Sequence, residues 1–233
     1  RPPKSTPKPS SAASDVYKRQ LILLSTSIPA LSTTVWTTIT MGYTLLSTAI
    51  LLISAVIVTA SMPLITYITL GSSVVTEPMA MFGDLLIMLF IPLTTAVAIK
   101  RFHGGINPET LEISHIASKL AIILIVFGNV AIVWPKISSV GTDKIWLSLV
   151  AVSIYCLSGF SIGFYISKYL FNWDRRTAVT LSYSAGMRDC AITIAVAVTQ
   201  FTPLTSLPAT CYIIIQQLAA SATSVIANRA KIL

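Results

Sequence analysis

The chain has 233 residues, of which 54% are hydrophobic and only 10% are charged. A soluble domain has about 25% charged residues, so this composition predicts a protein surrounded mostly by lipid. The formal net charge of +8 comes from basic residues in the first twenty positions or in short clusters between apolar runs. That distribution argues against nucleic-acid binding. The three cysteines and two histidines show neither disulfide nor metal-ligand spacing, so no metal site is expected.

Residues 1–20 are rich in proline, serine and lysine and are set apart from the fold. The stretch Ser14 to Gln20 resembles translated adapter sequence of the kind found at the ends of metagenomic assemblies. Under that interpretation the natural N-terminal part of the protein would be missing. The alternative is a disordered basic tail, because this composition buries too little apolar surface to fold.

Seven apolar stretches follow, each long enough to cross a hydrocarbon core that needs about 20 mostly apolar residues. We expect an all-α, polytopic membrane protein whose transmembrane domain covers residues 21–233. The predicted spans are 21–41, 43–70, 77–100, 113–134, 144–170, 175–200 and 206–228.

Basic residues alternate between the two ends of these spans and predict their orientation. Cytoplasmic loops carry an excess of lysine and arginine, so the side with more of them is assigned to the cytoplasm. The C-terminus is therefore expected to be cytoplasmic. The richer side holds Lys100, Arg101, Lys168, Arg175, Arg176, Arg229 and Lys231, against Lys136 and Lys144 on the other.

The first and sixth spans contain residues that favour an interrupted helix. Pro29 lies in the hydroxyl-rich segment 25–34, and Gly186 precedes the charged pair Arg188 and Asp189 near the middle of the sixth span. Proline removes a backbone donor, and unpaired backbone at membrane depth is tolerated only where it is buried in protein or lines a cavity. Interrupted helices at corresponding places in two halves of a chain indicate a transporter binding site.

These segments resemble the bile acid:sodium symporter superfamily, and the chain is similar to a divergent prokaryotic member over residues 21–233. The resemblance is carried by Ser184 to Asp189, Pro203-Leu204, Leu207-Pro208, Tyr212 to Gln217, Pro29 to Thr34, Thr40 to Gly42, Leu46-Ser47 and Met62 to Leu64. It implies a multi-pass cell (inner) membrane transporter for an organic anion.

The resemblance also implies a ten-helix fold of two inverted five-helix repeats, in which two broken helices cross. This chain would begin at the fourth helix and lack three N-terminal helices. Core-type helices would then occupy 21–70 and 144–228, and panel-type helices 77–134.

The ion sites implied by the resemblance fall on Ser47, Ser184 and Met187. Sodium-coupled members have Glu in place of Ser184, Gln in place of Arg188 and Asn in place of Asp189. Sodium prefers hard, anionic oxygen ligands, so these replacements argue against sodium coupling. No other cofactor is expected, and the coupling ion stays open between Na⁺ and H⁺.

Arg188 and Asp189 are the strongest substrate-binding candidates, because a charge at membrane depth is costly and usually functional. The guanidinium of Arg188 suits a carboxylate, and a half-helix beginning near Gly186 would add partial positive charge. Asp189 would either hold Arg188 in place or exchange a proton. The alternative is that Arg188 and Asp189 form an ion pair between packed helices and have no role in binding substrate.

Four further polar residues are assigned to the substrate site with an alternative for each. Gln216 and Gln217 match a polar pair facing the substrate in the family, but they can equally bond neighbouring helices. Thr33 and Thr34 match a Ser-Asn pair of the family, but threonine hydroxyls often bond their own helix.

Two other functional classes remain as alternatives. A seven-helix receptor fits the number of spans but leaves the two interrupted helices unexplained. An intramembrane hydrolase would need a nucleophile with a base or a metal pair, and the two histidines, His103 and His115, flank a loop rather than lie at membrane depth. The expected partners are a small organic anion and the lipid bilayer, while substrate identity and oligomeric state do not follow from the sequence.

Overall fold

The computed structural model describes residues 21–70, 78–102, 142–201 and 203–229, with a few helical residues between 120 and 134. The predicted tail at 1–20 and most of the predicted span 113–134 lie outside these residues. Within the described part of the chain the regular elements are helices.

We number the helices in chain order. Helix α1 covers residues 21–26, and the others are α2 (Ser32–Ile39), α3 (Thr44–Leu70), α4 (Pro78–Phe102), α5 (Thr142–Tyr165), α6 (Arg175–Gly186), α7 (Cys190–Gln200) and α8 (Leu207–Arg229). A π-helical turn, Ile166–Leu170, extends α5, and a 3₁₀ turn, Pro203–Ser206, precedes α8.

Four of the described helices are long and apolar enough to cross a membrane: α3, α4, α5 with its π-helical turn, and α8. The expectation of an all-α protein with membrane-length helices is therefore confirmed. The predicted spans 43–70, 77–100, 144–170 and 206–228 correspond to these four helices. The total of seven spans and the inverted repeat stay predictions.

The two spans expected to be interrupted are interrupted. Helix α1 ends at residue 26 and α2 begins at Ser32, while α6 ends at Gly186 and α7 begins at Cys190. The two breaks, residues 27–31 and 187–189, meet as a short antiparallel bridge between Pro29 and Arg188. We call this meeting point the crossover.

Backbone hydrogen bonds join the two breaks at the crossover. The Asp189 amide donates to the Ile28 carbonyl at 2.8 Å, and the Ala30 amide donates to the Met187 carbonyl at 3.2 Å. An interrupted helix loses its internal partners, which water cannot replace in hydrocarbon. Each break therefore supplies partners for the other.

Side chains satisfy further groups at the helix ends. The Tyr212 hydroxyl, on α8, donates to the Gly186 carbonyl at 2.7 Å. At the end of α1, the Ser27 hydroxyl donates to the Leu24 carbonyl at 2.8 Å. Partners of this kind are what allow helices to end at membrane depth.

Glycines let α5 pack closely on α6. A Cβ atom at Gly159 would lie 2.8 Å from the Ala185 carbonyl oxygen, and one at Gly163 would lie 2.6 Å from the Leu181 carbonyl oxygen. Small residues four apart allow helix backbones to approach in membranes. The α5–α6 contact thus places the break after Gly186 against the middle of α5.

Two apolar clusters hold the helices around the crossover. One contains Phe160, Tyr183, Met187 and Tyr212, contributed by α5, α6, the second break and α8. The other joins α1, α3, α4 and α7 through Leu23, Met62, Met81, Leu85, Val196 and Ala197. Helix α4, expected to be panel-type, therefore packs on α1, α3 and α7, which are expected to be core-type.

Replacing Gly159 tests this close packing. Gly159→Ala would place a methyl group against the α6 backbone and should destabilise the protein by about 1–3 kcal/mol, as overpacking does. Thermal unfolding in detergent measures the effect.

Gly83→Ala provides the matched control, because no described atom lies within 4 Å of the Cβ position at Gly83 on α4. We expect it to be neutral or to stabilise by up to about 1 kcal/mol through helix propensity. Equal effects of the two substitutions would contradict the close α5–α6 contact.

Candidate functional site

A cavity of about 410 Å³ lies beside the crossover, between α3, α6 and the end of α5. We call it the crossover cavity. Apolar residues form much of its wall, and its polar residues are Ser27, Ser54, Ser167, Ser184 and Arg188. Arg188 is the one charged residue among the described residues that line it. Cavities of this size hold small-molecule ligands in many proteins.

The Arg188 side chain has few protein partners. Its Nη1 donates to the Ser27 carbonyl at 3.2 Å, and its Nε is buried with no hydrogen-bond partner among the described residues. Its charge meets no carboxylate, since no described acidic side chain forms an ion pair with it. Arg188 is therefore a half-buried cation at a cavity wall, with no counter-ion among the described residues.

Asp189 does not pair with Arg188, so the ion pair that stood as the alternative interpretation is not observed in the described part of the chain. Its Oδ1 instead accepts from the amides of Ala191 and Ile192, at 3.0 and 3.2 Å. This is an N-cap: the carboxylate satisfies amides that have no partner within the first turn of α7.

The start of the second half-helix is also corrected. It begins at Cys190 rather than near Gly186, because the amide of Asp189 is drawn to the Ile28 carbonyl and the chain is extended there. The Asp189 carboxylate caps the N-terminus of α7. It therefore already interacts with the partial positive charge of this helix end, which was expected to act beside Arg188.

The two glutamines of α8 bond neighbouring elements. The Gln216 carbonyl oxygen accepts from the Arg188 amide at 2.9 Å, and the Gln217 carbonyl oxygen accepts from the Trp36 indole at 2.9 Å. Neither glutamine lines the crossover cavity. The structure thus shows the bonding between neighbouring elements foreseen as the alternative, and Gln216 fixes the backbone of Arg188.

Thr33 and Thr34 also lie outside the lining of the crossover cavity. The Thr34 hydroxyl donates to the Leu31 carbonyl at 2.8 Å, as its alternative foresaw. The Thr33 hydroxyl is buried on α2 and has no hydrogen-bond partner among the described residues. It therefore keeps both a donor and lone pairs available.

The three expected ion-site residues belong to α3, α6 and the second break. The Ser47 hydroxyl on α3 is buried and, like that of Thr33, unpartnered within the described part of the chain. Ser184 lines the crossover cavity and donates to the Thr180 carbonyl at 3.0 Å. Met187 is buried, and its carbonyl accepts from Ala30.

Serines that were not singled out from the sequence contribute to the cavity. The hydroxyls of Ser27 and Ser167 donate to the carbonyls of Leu24 and Gly163, whereas the Ser54 hydroxyl on α3 makes no hydrogen bond to a described residue. Ser54 can therefore donate to a ligand. Serines are frequent in these apolar helices, and no sequence pattern distinguishes Ser54 from the rest.

Comparisons with known proteins add no relative. No protein-family model matches the chain, and no curated protein matches it at a significant level. The chemistry of the site consequently rests on the geometry described above.

The capping role of Asp189 can be separated from a proton-carrying role by two substitutions. Asn caps helices about as well as Asp, so Asp189→Asn should change the free energy of unfolding by less than about 0.5 kcal/mol. Asp189→Ala removes the acceptor and should destabilise by about 0.5–2 kcal/mol. Thermal unfolding in detergent measures both, and equal destabilisation by the two variants would contradict the cap.

Proposed function

We propose that the protein is a secondary active transporter for a small organic anion, similar to the bile acid:sodium symporter superfamily. The observation that carries the proposal is the Arg188 guanidinium, which lines the crossover cavity without a counter-ion among the described residues. An intramembrane charge of this kind usually marks a substrate or ion pathway.

The chemistry of the cavity favours an anion with a planar, oxygen-rich head. A guanidinium can form two parallel hydrogen bonds to a carboxylate, and charge-assisted bonds of this type contribute about 1.5–3 kcal/mol. The Ser54 hydroxyl offers another donor on the same cavity, and most of the remaining lining residues are apolar. A small carboxylate with an apolar body matches this lining.

The placement of the cavity supports transport rather than binding alone. Substrate sites of many secondary transporters lie where discontinuous helices meet near the membrane midplane. The crossover is such a meeting point, and Arg188 belongs to it. A seven-helix receptor, the alternative from the sequence, has no need of two interrupted helices.

Sodium is not part of the proposed cycle. No acidic side chain occurs among the described residues that line the crossover cavity, and Arg188 repels a cation there. The hydroxyls of Thr33 and Ser47, unpartnered within the described part of the chain, are neutral and bring no negative charge to a cation. Proton coupling remains the alternative for the ion.

The proposal also includes the cell (inner) membrane as the location and a cytoplasmic C-terminus. The charge pattern of the loops supports this orientation, as argued from the sequence.

Uptake by proteoliposomes tests the assignment of Arg188. We expect Arg188→Gln to weaken anion binding about 10- to 150-fold, because 1.5–3 kcal/mol of charge-assisted bonding is lost. Uptake of radiolabelled carboxylates should fall accordingly. Arg176→Gln removes the same charge from a guanidinium that lies over the Tyr43 ring outside the cavity, so uptake should be nearly unchanged.

Replacing external sodium by potassium or choline tests the ion. Because the cavity offers a cation in place of an anionic ligand, we expect carboxylate uptake to continue at a similar rate. Uptake that requires sodium would overturn the proposed cycle, and uptake unaffected by Arg188→Gln would overturn the site.

A further inference from the structure

A second cavity, of about 310 Å³, opens between α5, α6 and α8. We call it the lateral groove. Its apolar wall includes Phe160, Phe164, Val179 and Ile226, and Arg175 stands among its lining residues. Phe160 and Val179 are buried, whereas Ile226 is 69% exposed, so the groove leads from the helix core to the outer surface.

Three hydroxyl-bearing residues line the lateral groove: Ser182 and Thr223 bond helix carbonyls, and Ser161 is exposed. The Ser182 hydroxyl donates to the Phe160 carbonyl at 2.7 Å, and the Thr223 hydroxyl donates to the Ala219 carbonyl at 2.8 Å. The interior is therefore suited to a hydrocarbon chain rather than to a polar ligand.

Arg175 supplies the polar end of the groove. It is the first residue of α6 and donates through Nη2 to the Ala227 carbonyl in α8. A guanidinium has five N–H donors, so others remain for a ligand. No described acidic side chain forms an ion pair with Arg175. A guanidinium forms paired hydrogen bonds with phosphate and with carboxylate groups, so phosphate is a suitable ligand.

The surroundings of Arg175 carry a net positive charge. Lys168 lies in the π-helical turn just before it in the chain, Arg176 follows it, and Arg229 lies in the last turn of α8. The described acid in this loop is Asp174. A hydrogen bond from Thr177 lowers the pKa of the Asp174 carboxyl, so one negative charge persists against four positive charges.

Exposed aromatic side chains near Arg175 indicate that this end of the lateral groove lies at the level of the lipid headgroups. Tyr165, Tyr169, Phe171 and Trp173 occupy the chain between the groove-lining part of α5 and the start of α6. Aromatic residues with an exposed surface concentrate at the membrane–water interface, and basic clusters there attract anionic lipid. The lateral groove would then extend from the interface into the hydrocarbon region.

We propose that the lateral groove binds an anionic phospholipid. The headgroup phosphate accepts hydrogen bonds from Arg175, and one acyl chain lies along Phe160, Phe164, Val179 and Ile226. Charge complementarity at the rim and an apolar interior together select this ligand. The inference does not depend on the proposed transport function, because it uses a different cavity and a different arginine.

Native mass spectrometry of the protein titrated with phosphatidylglycerol and with phosphatidylcholine of identical acyl chains tests the proposal. Both lipids have a phosphate, but only the first has a net negative charge. We expect phosphatidylglycerol to bind at least about fivefold more tightly, the ratio that corresponds to roughly one basic residue near an anionic headgroup. Equal affinity would overturn the proposal.

Arginine substitutions distinguish a site from diffuse attraction. Arg175→Gln should weaken phosphatidylglycerol binding about tenfold or more, because hydrogen bonds as well as charge are lost. Arg176→Gln makes the same charge change at an exposed position, and its effect should disappear at about 0.5 M salt, where the screening length is only a few ångströms. Equal, salt-sensitive losses in both variants would show diffuse attraction and refute a site.

Filling the groove gives a test that leaves Arg175 in place. Thr223→Phe should reduce binding of both lipids, since its ring occupies the space assigned to the acyl chain. Thermal unfolding verifies that each variant is folded. Binding unchanged in a folded Thr223→Phe variant would exclude the lateral groove as the location.

Discussion

The pairing of two interrupted helices at the crossover is the constraint on which the rest of the described structure depends. Backbone groups at membrane depth have no water to bond, so each helix break must find protein partners. The breaks provide them through the bonds from Asp189 to Ile28 and from Ala30 to Met187. Tyr212 adds a partner from α8. Because these bonds come from different elements, a rotation of one half-helix would unpair groups on several others.

At the crossover, the backbone and the side chain of Arg188 have different partners. The amide of Arg188 is held by Gln216 on α8, whereas its guanidinium lines the cavity bounded by α3, α5 and α6. Asp189, the neighbouring charge, is committed to the N-terminus of α7. The only described charge left facing the crossover cavity is therefore positive, and its position is fixed by backbone bonds rather than by an ion pair.

Sequence reasoning located the breaks because proline and glycine act locally: Pro29 removes a backbone donor, and Gly186 leaves room for the Phe160 ring. It misplaced the start of α7, because the extension before Cys190 depends on a bond to Ile28, distant in the chain. The partners of Gln216 were unpredictable for the same reason. The Gly159 and Gly163 spacing, by contrast, is a packing pattern that can be recognised in the sequence itself.

The sign of the charge has a consequence for the proposed transport cycle. An empty crossover cavity holds a cation in a low-dielectric region, whereas a cavity with a bound monovalent anion holds a neutral pair. The loaded site would therefore cross the hydrocarbon region at lower electrostatic cost than the empty one. Binding a sodium ion beside Arg188 would have the opposite effect, because it would add a second positive charge. Under the proposed function, the guanidinium would favour a carrier that moves when loaded, and an exchange of anions would avoid the return of the charged site without its anion.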